Sequence, residues 1–425
     1  MRLTRRDSAV SEAFLPIPSI EKVTAPVQPG LRTVGLFAGI GGLEKGLSSA
    51  GHETELLCEI DNAASAVLTA RFPGVACVPD VRRLERLPGD CDLLTGGFPC
   101  QDLSQAGRTE GIHGHSSGIV FEVFRLLNSK RHRPRWVLLE NVSFMLRLNR
   151  GRALEVILDQ IERLGYRWAY RTVSSLAFGV PQRRERVFLL ASLDSDPRAV
   201  LFADEAGRPT ADVPDPEKPF GFYWTEGTRG LGAAVDSIPT LKGGSTVGIP
   251  SPPAILMPDG SVVTPSIRDA ERLQGFPADW TQPAELVARS SARWKLVGNA
   301  VTVPVAAWIG RRLRNPGEYD HSWDRTLAHG CPWPAAAWNL GRGRHEAGEI
   351  SMWPLAENRP SLTGFLLEPT PLSAKATAGF LSRLRSSSLR RPAWFDAALA
   401  AHLKRQSSNH DHANAEDEHA NAANG

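Results

Sequence analysis

The chain has 425 residues, enough for one large or two moderate folding units with a sizeable core. Hydrophobic residues make up 42% and charged residues 22%, ordinary for a globular protein, and a net charge of +3 does not by itself argue for a polyanionic partner. No apolar run approaches the ~18 residues of a membrane span, and Arg2, Arg5 and Arg6 lack the apolar core of a secretory signal. The cysteines Cys58, Cys77, Cys91, Cys100 and Cys331 have no paired spacing, which fits a reducing cytoplasm and gives neither a disulfide framework nor a metal motif.

Residues 1–30 are polar and lack periodicity, so a flexible arm is expected. From Thr33 short apolar runs alternate with amphipathic stretches, and 33–38, 55–60, 74–78, 91–95, 135–140 and 186–191 read as buried strands. A helix is expected over 152–164, where Leu154, Ile157, Leu158, Ile161 and Leu164 recur at helical spacing before a stop at Gly165. Strands alternating with helices imply an α/β fold with a mostly parallel sheet over 31–195, with ligands at the carboxyl ends of the strands. Pro and Gly then become frequent, and 196–283 reads as a smaller lobe of loops and short strands. A helical return over 284–312 carries a Gly-Asn break at 298–299. An ordered extension follows over 313–405, and 406–425 has the composition of a disordered tail.

Four motifs bear chemistry. Phe37-Ala38-Gly39-Ile40-Gly41-Gly42 lies between a strand and a helix, where a glycine turn lets backbone approach a ligand; alone it is equally a tight turn. Glu59 ends the next strand and can accept both hydroxyls of a ribose. Glu44 stands where a dinucleotide fingerprint needs its third glycine, which disfavours a nicotinamide or flavin enzyme. Gly96-Gly97-Phe98-Pro99-Cys100-Gln101-Asp102-Leu103-Ser104 puts a cysteine on a shaped loop at a strand end, and the stretch to Ser117 has the character of a lid. Glu140-Asn141-Val142 ends a buried strand, where a carboxyl group can hold its proton, unless it is solvated. In Gln182-Arg183-Arg184-Glu185-Arg186, alternation sends Arg184 and Arg186 to one face, as an anion site or as a solvated basic edge. Further basic clusters at Arg125–Arg135, Arg147–Arg152 and Arg383–Arg391 are compatible with a nucleic-acid groove.

These blocks, continued by Arg268, Arg272-Leu273-Gln274-Gly275-Phe276-Pro277 and Gly298-Asn299-Ala300-Val301-Thr302-Val303-Pro304, stand in an order that strongly resembles the bacterial cytosine-5 DNA methyltransferases over about 33–310. The resemblance implies a Rossmann-like domain using S-adenosyl-L-methionine, with a target-recognition lobe within 196–283. It implies that Cys100 is the nucleophile, Glu140 the acid at the cytosine edge, and Arg184 and Arg186 active-site arginines. Phe37, Gly39, Gly41, Gly42, Glu59, Ile60, Asp80, Val81, Pro99, Asn299 and Val301 would line the cofactor pocket. Gln101, Ser104, Arg268, Arg272 and Gln274 would meet DNA, with Arg268 and its block also organising the small lobe. The implied activity is site-specific methylation of a flipped cytosine in double-stranded DNA, in a restriction–modification system or as an orphan enzyme. The implied state is a cytoplasmic, DNA-associated monomer that need not touch a cognate endonuclease. An RNA-directed enzyme of the same fold, a non-catalytic DNA-binding relative and a dinucleotide oxidoreductase are the alternatives. The chain departs from the family at Gly35, where many members carry an acid.

Overall fold

The computed structural model describes residues 28–98, 118–129, 132–210, 212–228, 230–243 and 250–408. Its first half grows from apolar runs that become strands: β1 (Arg32–Leu36), β2 (Glu53–Cys58), β3 (Ala76–Val78), β4 (Leu93–Gly97) and β5 (Trp136–Val142). They pair in parallel in the order β3-β2-β1-β4-β5. Helices make these crossovers possible. α1 (Gly42–Ser49) and α2 (Asn62–Arg71) join the early strands; Asp61 caps α2 by accepting from the amides of Ala63 and Ala64. α3 (Val120–Leu127) precedes β5, and α4 (Arg152–Arg163) follows it, burying Leu154, Ile157, Leu158 and Ile161 before the left-handed Gly165.

Over 31–195 the sheet is mostly parallel, as expected, with an antiparallel edge that makes the whole sheet mixed. β6 (Arg167–Ser174) and β8 (Glu185–Ser192) pair antiparallel with each other, and β8 pairs antiparallel with β5. The link between β6 and β8 holds only a one-turn 3₁₀ helix and the two-residue β7 (Gln182–Arg183). A chain without a crossover helix must return antiparallel. The strand over 167–174, unanticipated from sequence, is built on the buried Trp168, Tyr170 and fully buried Arg171.

After the short α5 (Arg198–Leu201), the small lobe forms a second sheet from β9 (Phe220–Phe222), β10 (Ala234–Val235), β12 (Ala254–Leu256) and β13 (Val262–Thr264), while β11 (Ile238–Pro239) pairs with β7. α6 (Ile267–Arg272) begins with a Ser266–Asp269 capping box. The helical return is α7 (Ala292–Asn299) and α8 (Val303–Arg314), broken one residue later than the Gly-Asn pair; α8 packs against α1.

The C-terminal extension is shared between both sheets. β14 (Arg325–Thr326), β15 (Ala336–Asn339) and β16 (His345–Glu346) continue the main sheet beyond β6, giving ten strands in the order β14-β16-β15-β6-β8-β5-β4-β1-β2-β3. β17 (Thr370–Pro371) closes the small sheet against β13. α9 (Ala374–Arg385) and a last helix over 395–408 cover its face with Phe380, Leu384, Phe395 and Leu399. That helix occupies 406–408, the first residues of the expected tail; residues 409–425 lie outside the described residues.

Candidate active site

β1, β2, β4 and β5 present their carboxyl ends along one edge of the parallel half-sheet, and the motifs sit there. The turn after β1 is drawn tight: Phe37, Gly39 and Gly41 all have positive φ (54°, 57° and 80°). For Phe37 this is a conformation that costs of order 1–3 kcal/mol and must be held by its surroundings. Glu59, after β2, holds it: one carboxylate oxygen accepts from the Gly39 amide at 2.7 Å and the other from the Asp61 amide at 2.8 Å. A Cβ on Gly39 would meet nothing within 4 Å, so open space lies beside the turn. Ile60 is 65% exposed next to Glu59. Asp80, capping the turn Val81–Arg83, is held by the Arg82 guanidinium, which keeps its carboxyl below the usual range; Val81 is buried.

The late block closes over this turn by close approach. A Cβ on Gly42 would lie 2.5 Å from the Val301 carbonyl oxygen, so only glycine fits. Asn299 is exposed beside Gly243. Trp280, which sequence reasoning passed over, donates its indole N–H to the Ile40 carbonyl at 2.9 Å and carries Lys45 and Arg71 over its ring. A single tryptophan behind a Gly-Phe-Pro turn gave no periodic signal.

The ends of β4 and β5 lie side by side. Glu140 is opposite Gly97 in register, and its Oε2 lies 3.4 Å from where a Gly97 Cβ would be. Asn141 donates to the Phe98 carbonyl at 3.0 Å, tying the start of the cysteine loop to the strand that carries Glu140. Pro99, Cys100, Gln101 and Ser104 lie outside the described residues. Arg186 pairs with Glu140 at 3.1 Å. Burial pushes the Glu140 carboxyl up from its ordinary value, while Arg186 and then Arg184 pull it back.

Arg184 and Arg186 both act on Glu140, but they are differently employed. Arg184 is fully buried and donates to the carbonyls of Leu241, Gly298 and Ala300 at 3.2, 3.1 and 2.7 Å, so the small lobe and the late block are fastened through it to the link between β7 and β8. Gln182 reinforces the node through the Leu273 carbonyl, Gln274 and the Leu241 amide.

Two residues expected at DNA, the buried Gln274 and the half-buried Arg272, are engaged by the protein itself. Gln274 is fully buried, with its amide engaged by Val297, Thr302 and Gln182. Arg272 donates to the carbonyls of Gly364 and Phe365 and so anchors the extension. Arg268 is half-buried and paired with Asp279 at 3.0 Å and Glu368 at 2.5 Å. Among the described residues no group of three or more His, Cys, Asp or Glu could hold a metal ion, and no helix is long and apolar enough to cross a membrane.

The α/β sheet carries a glycine turn, a pinned carboxylate just after the neighbouring strand and a buried acid–arginine pair, and its class is that of a methyltransferase. The family model for C-5 cytosine-specific DNA methylase matches residues 31–229. The Type II methyltransferase M2.BsuMI of Bacillus subtilis is 48% identical over 364 residues, covering 83% of this chain and 93% of that protein. The Type II methyltransferase M.DsaV of Dactylococcopsis salina is 31% identical, covering 67% of this chain and 86% of that protein. The solved Dnmt2 methyltransferase of S. pombe superposes with a TM-score of 0.48 at 18% identity, covering 65% of this chain and 96% of that one. The chain belongs to the C-5 cytosine-specific DNA methylase family.

Proposed function

We propose that the protein is a site-specific DNA (cytosine-5) methyltransferase that uses S-adenosyl-L-methionine and works on a cytosine rotated out of double-stranded DNA. The observation that carries the reading is Glu140: a buried carboxyl held toward its neutral form, paired with Arg186 and set beside Gly97 at the root of the loop bearing Cys100. The residues present fit the cofactor. The open side of Gly39, the pinned Glu59 and the exposed Ile60 suit a ribose and an adenine face, and Asp80, Val81, Asn299 and Val301 border the same edge.

Bound adenosylmethionine supplies an electrophilic methyl group. The protein makes cytosine carbon 5 able to accept it. The Cys100 thiolate adds to carbon 6 and the displaced ring electrons gather at carbon 5 and the N3 edge. Glu140 donates its proton at N3, and Arg186, 3.1 Å away, stabilises the carboxylate that this leaves. Carbon 5 takes the methyl group. Loss of the carbon 5 proton to water then expels the thiolate, and return of the N3 proton to the Glu140 carboxylate restores the aromatic ring and the acid. A stacked base exposes none of these atoms, hence the extrusion. The lobe of β9–β13 is the candidate reader of the target site, with Gln101, Ser104 and Arg268 as candidate DNA contacts. We further infer a cytoplasmic monomer whose endonuclease counterpart, where one exists, acts on the same site without binding this chain.

The test is Cys100→Ser. It is expected to abolish tritiated-methyl transfer to cytosine-containing duplex DNA while adenosylmethionine still binds in calorimetry. Substantial residual transfer would remove Cys100 as nucleophile, and preferential labelling of tRNA would replace DNA as the substrate.

A further inference from the structure

The departure at Gly35 has a counterpart across the fold. Gly35 on β1 lies in register with Thr95 on β4, directly beneath the Phe37–Gly42 turn. A Cβ on Gly35 would lie 2.3 Å from Oε1 of Glu44, in the first turn of α1, so the space above this glycine is taken by the Glu44 carboxyl. Glu44 is 1% exposed. Its Oε1 accepts from the Thr95 hydroxyl at 3.1 Å, and its Oε2 has no hydrogen-bond partner among the described residues. A buried carboxyl oxygen without a donor is costly to the fold, which calls for a function.

Strand order says which part of the cofactor comes near it. Glu59, Ile60, Asp80 and Val81 follow β2 and β3, so the ribose and adenine are committed to that side of β1. An extended ligand threading the turn must run the other way, toward β4, where Gly35, Thr95 and Glu44 meet. Besides its sulfonium, the cofactor has one cationic group there: the ammonium of its amino-acid end, a strong donor.

We propose that Glu44 is a positioning residue for adenosylmethionine, its free Oε2 receiving the ammonium, directly or through one water, and that Gly35 is glycine because α1 delivers this carboxyl in place of β1. The proposal rests on the cofactor reading above. Burial raises the Glu44 carboxyl to about 7, so an arriving cation would find it readily ionised near neutral pH.

The experiment is calorimetric titration of the full chain with adenosylmethionine and with 5′-methylthioadenosine, which keeps the adenosine and sulfur but lacks the amino-acid end. Glu44→Gln is expected to weaken adenosylmethionine about tenfold, the scale of one charge-assisted hydrogen bond, and to leave methylthioadenosine within about twofold. Equal losses for both ligands would mark a merely structural role and overturn the proposal, as would no loss for either. The double variant Gly35→Asp/Glu44→Ala moves the carboxyl back to β1 and is expected to restore the preference for adenosylmethionine. A double variant that melts like the wild type yet shows no preference also refutes the idea. Wild-type protein that binds neither ligand would overturn the cofactor reading itself, and this proposal with it.

Discussion

Glu140 faces two opposed demands. Burial favours its neutral form, and the Arg186 guanidinium favours its carboxylate. In the proposed mechanism the acid gives up a proton in the transition state and needs both, since either alone would make it too reluctant or already spent. The sign of the pH dependence follows. A donor acts only while protonated, so the alkaline limb of kcat/KM reports its loss of a proton. Arg186→Met removes the cation that lowers the Glu140 pKa, and the limb is expected to shift to higher pH while the maximum rate falls. A shift to lower pH would mean that another group controls the limb. Glu140→Gln keeps the shape and loses the proton; turnover is expected to drop by about 10²–10⁴-fold in the same methyl-transfer assay, the range of general acid catalysis.

At the scale of elements, the site depends on blocks remote in sequence being fastened at one buried node. Gln182 and Arg184 come from one segment and Gln274 and Thr302 from two others; Gln182 and Thr302 both donate to the Gln274 side chain, while Arg184 donates to the Gly298 and Ala300 carbonyls just before Thr302. Arg184→Met leaves three carbonyls without their donor. Loss of about 3–5 kcal/mol is expected in chemical denaturation, as when a buried charge network is broken, whereas Arg186→Met should shift stability much less. Comparable losses in both variants would show that Arg184 does not fasten the lobes. This node also marks where sequence reasoning stops. The glycine turn, Glu59 and Glu140 were legible because each sits at the end of a strand that announces itself by an apolar run. Alternation pointed Arg184 and Arg186 to one face, and both guanidinium charges bear on Glu140. It could not reveal that Arg184 would be enclosed by Leu241, Gly298 and Ala300, or that Gln274 would be interior, because those neighbours are set by how the late block folds back. The antiparallel β6–β8 pair was missed for a related reason: its pairing follows from a connection too short for a crossover, not from the residues of the strands.

At the scale of the molecule, the extension ties the two lobes. Arg171 on β6 donates to the carbonyls of Leu201, Asp204 and Ser351 and pairs with Glu205 at 2.6 Å, and Arg344 bridges to Asp159 and Glu162 on α4, so residues beyond 340 are bonded into the catalytic sheet. The same extension then supplies β17 and the aromatic cover of the small sheet. Phe395 is the centre of that cover: fully buried, with its ring centroid 5.2 Å from Phe220 and 5.0 Å from Phe222. Truncating it leaves a cavity between the last helix and β9, at a cost of about 3–5 kcal/mol. Because the cavity lies in the small lobe, Phe395→Ala is expected to weaken binding to the cognate duplex in fluorescence anisotropy while adenosylmethionine affinity stays within about twofold of wild type. Parallel loss of both affinities would instead make the extension a general support of the catalytic sheet, and unchanged DNA binding would detach the small lobe from target recognition.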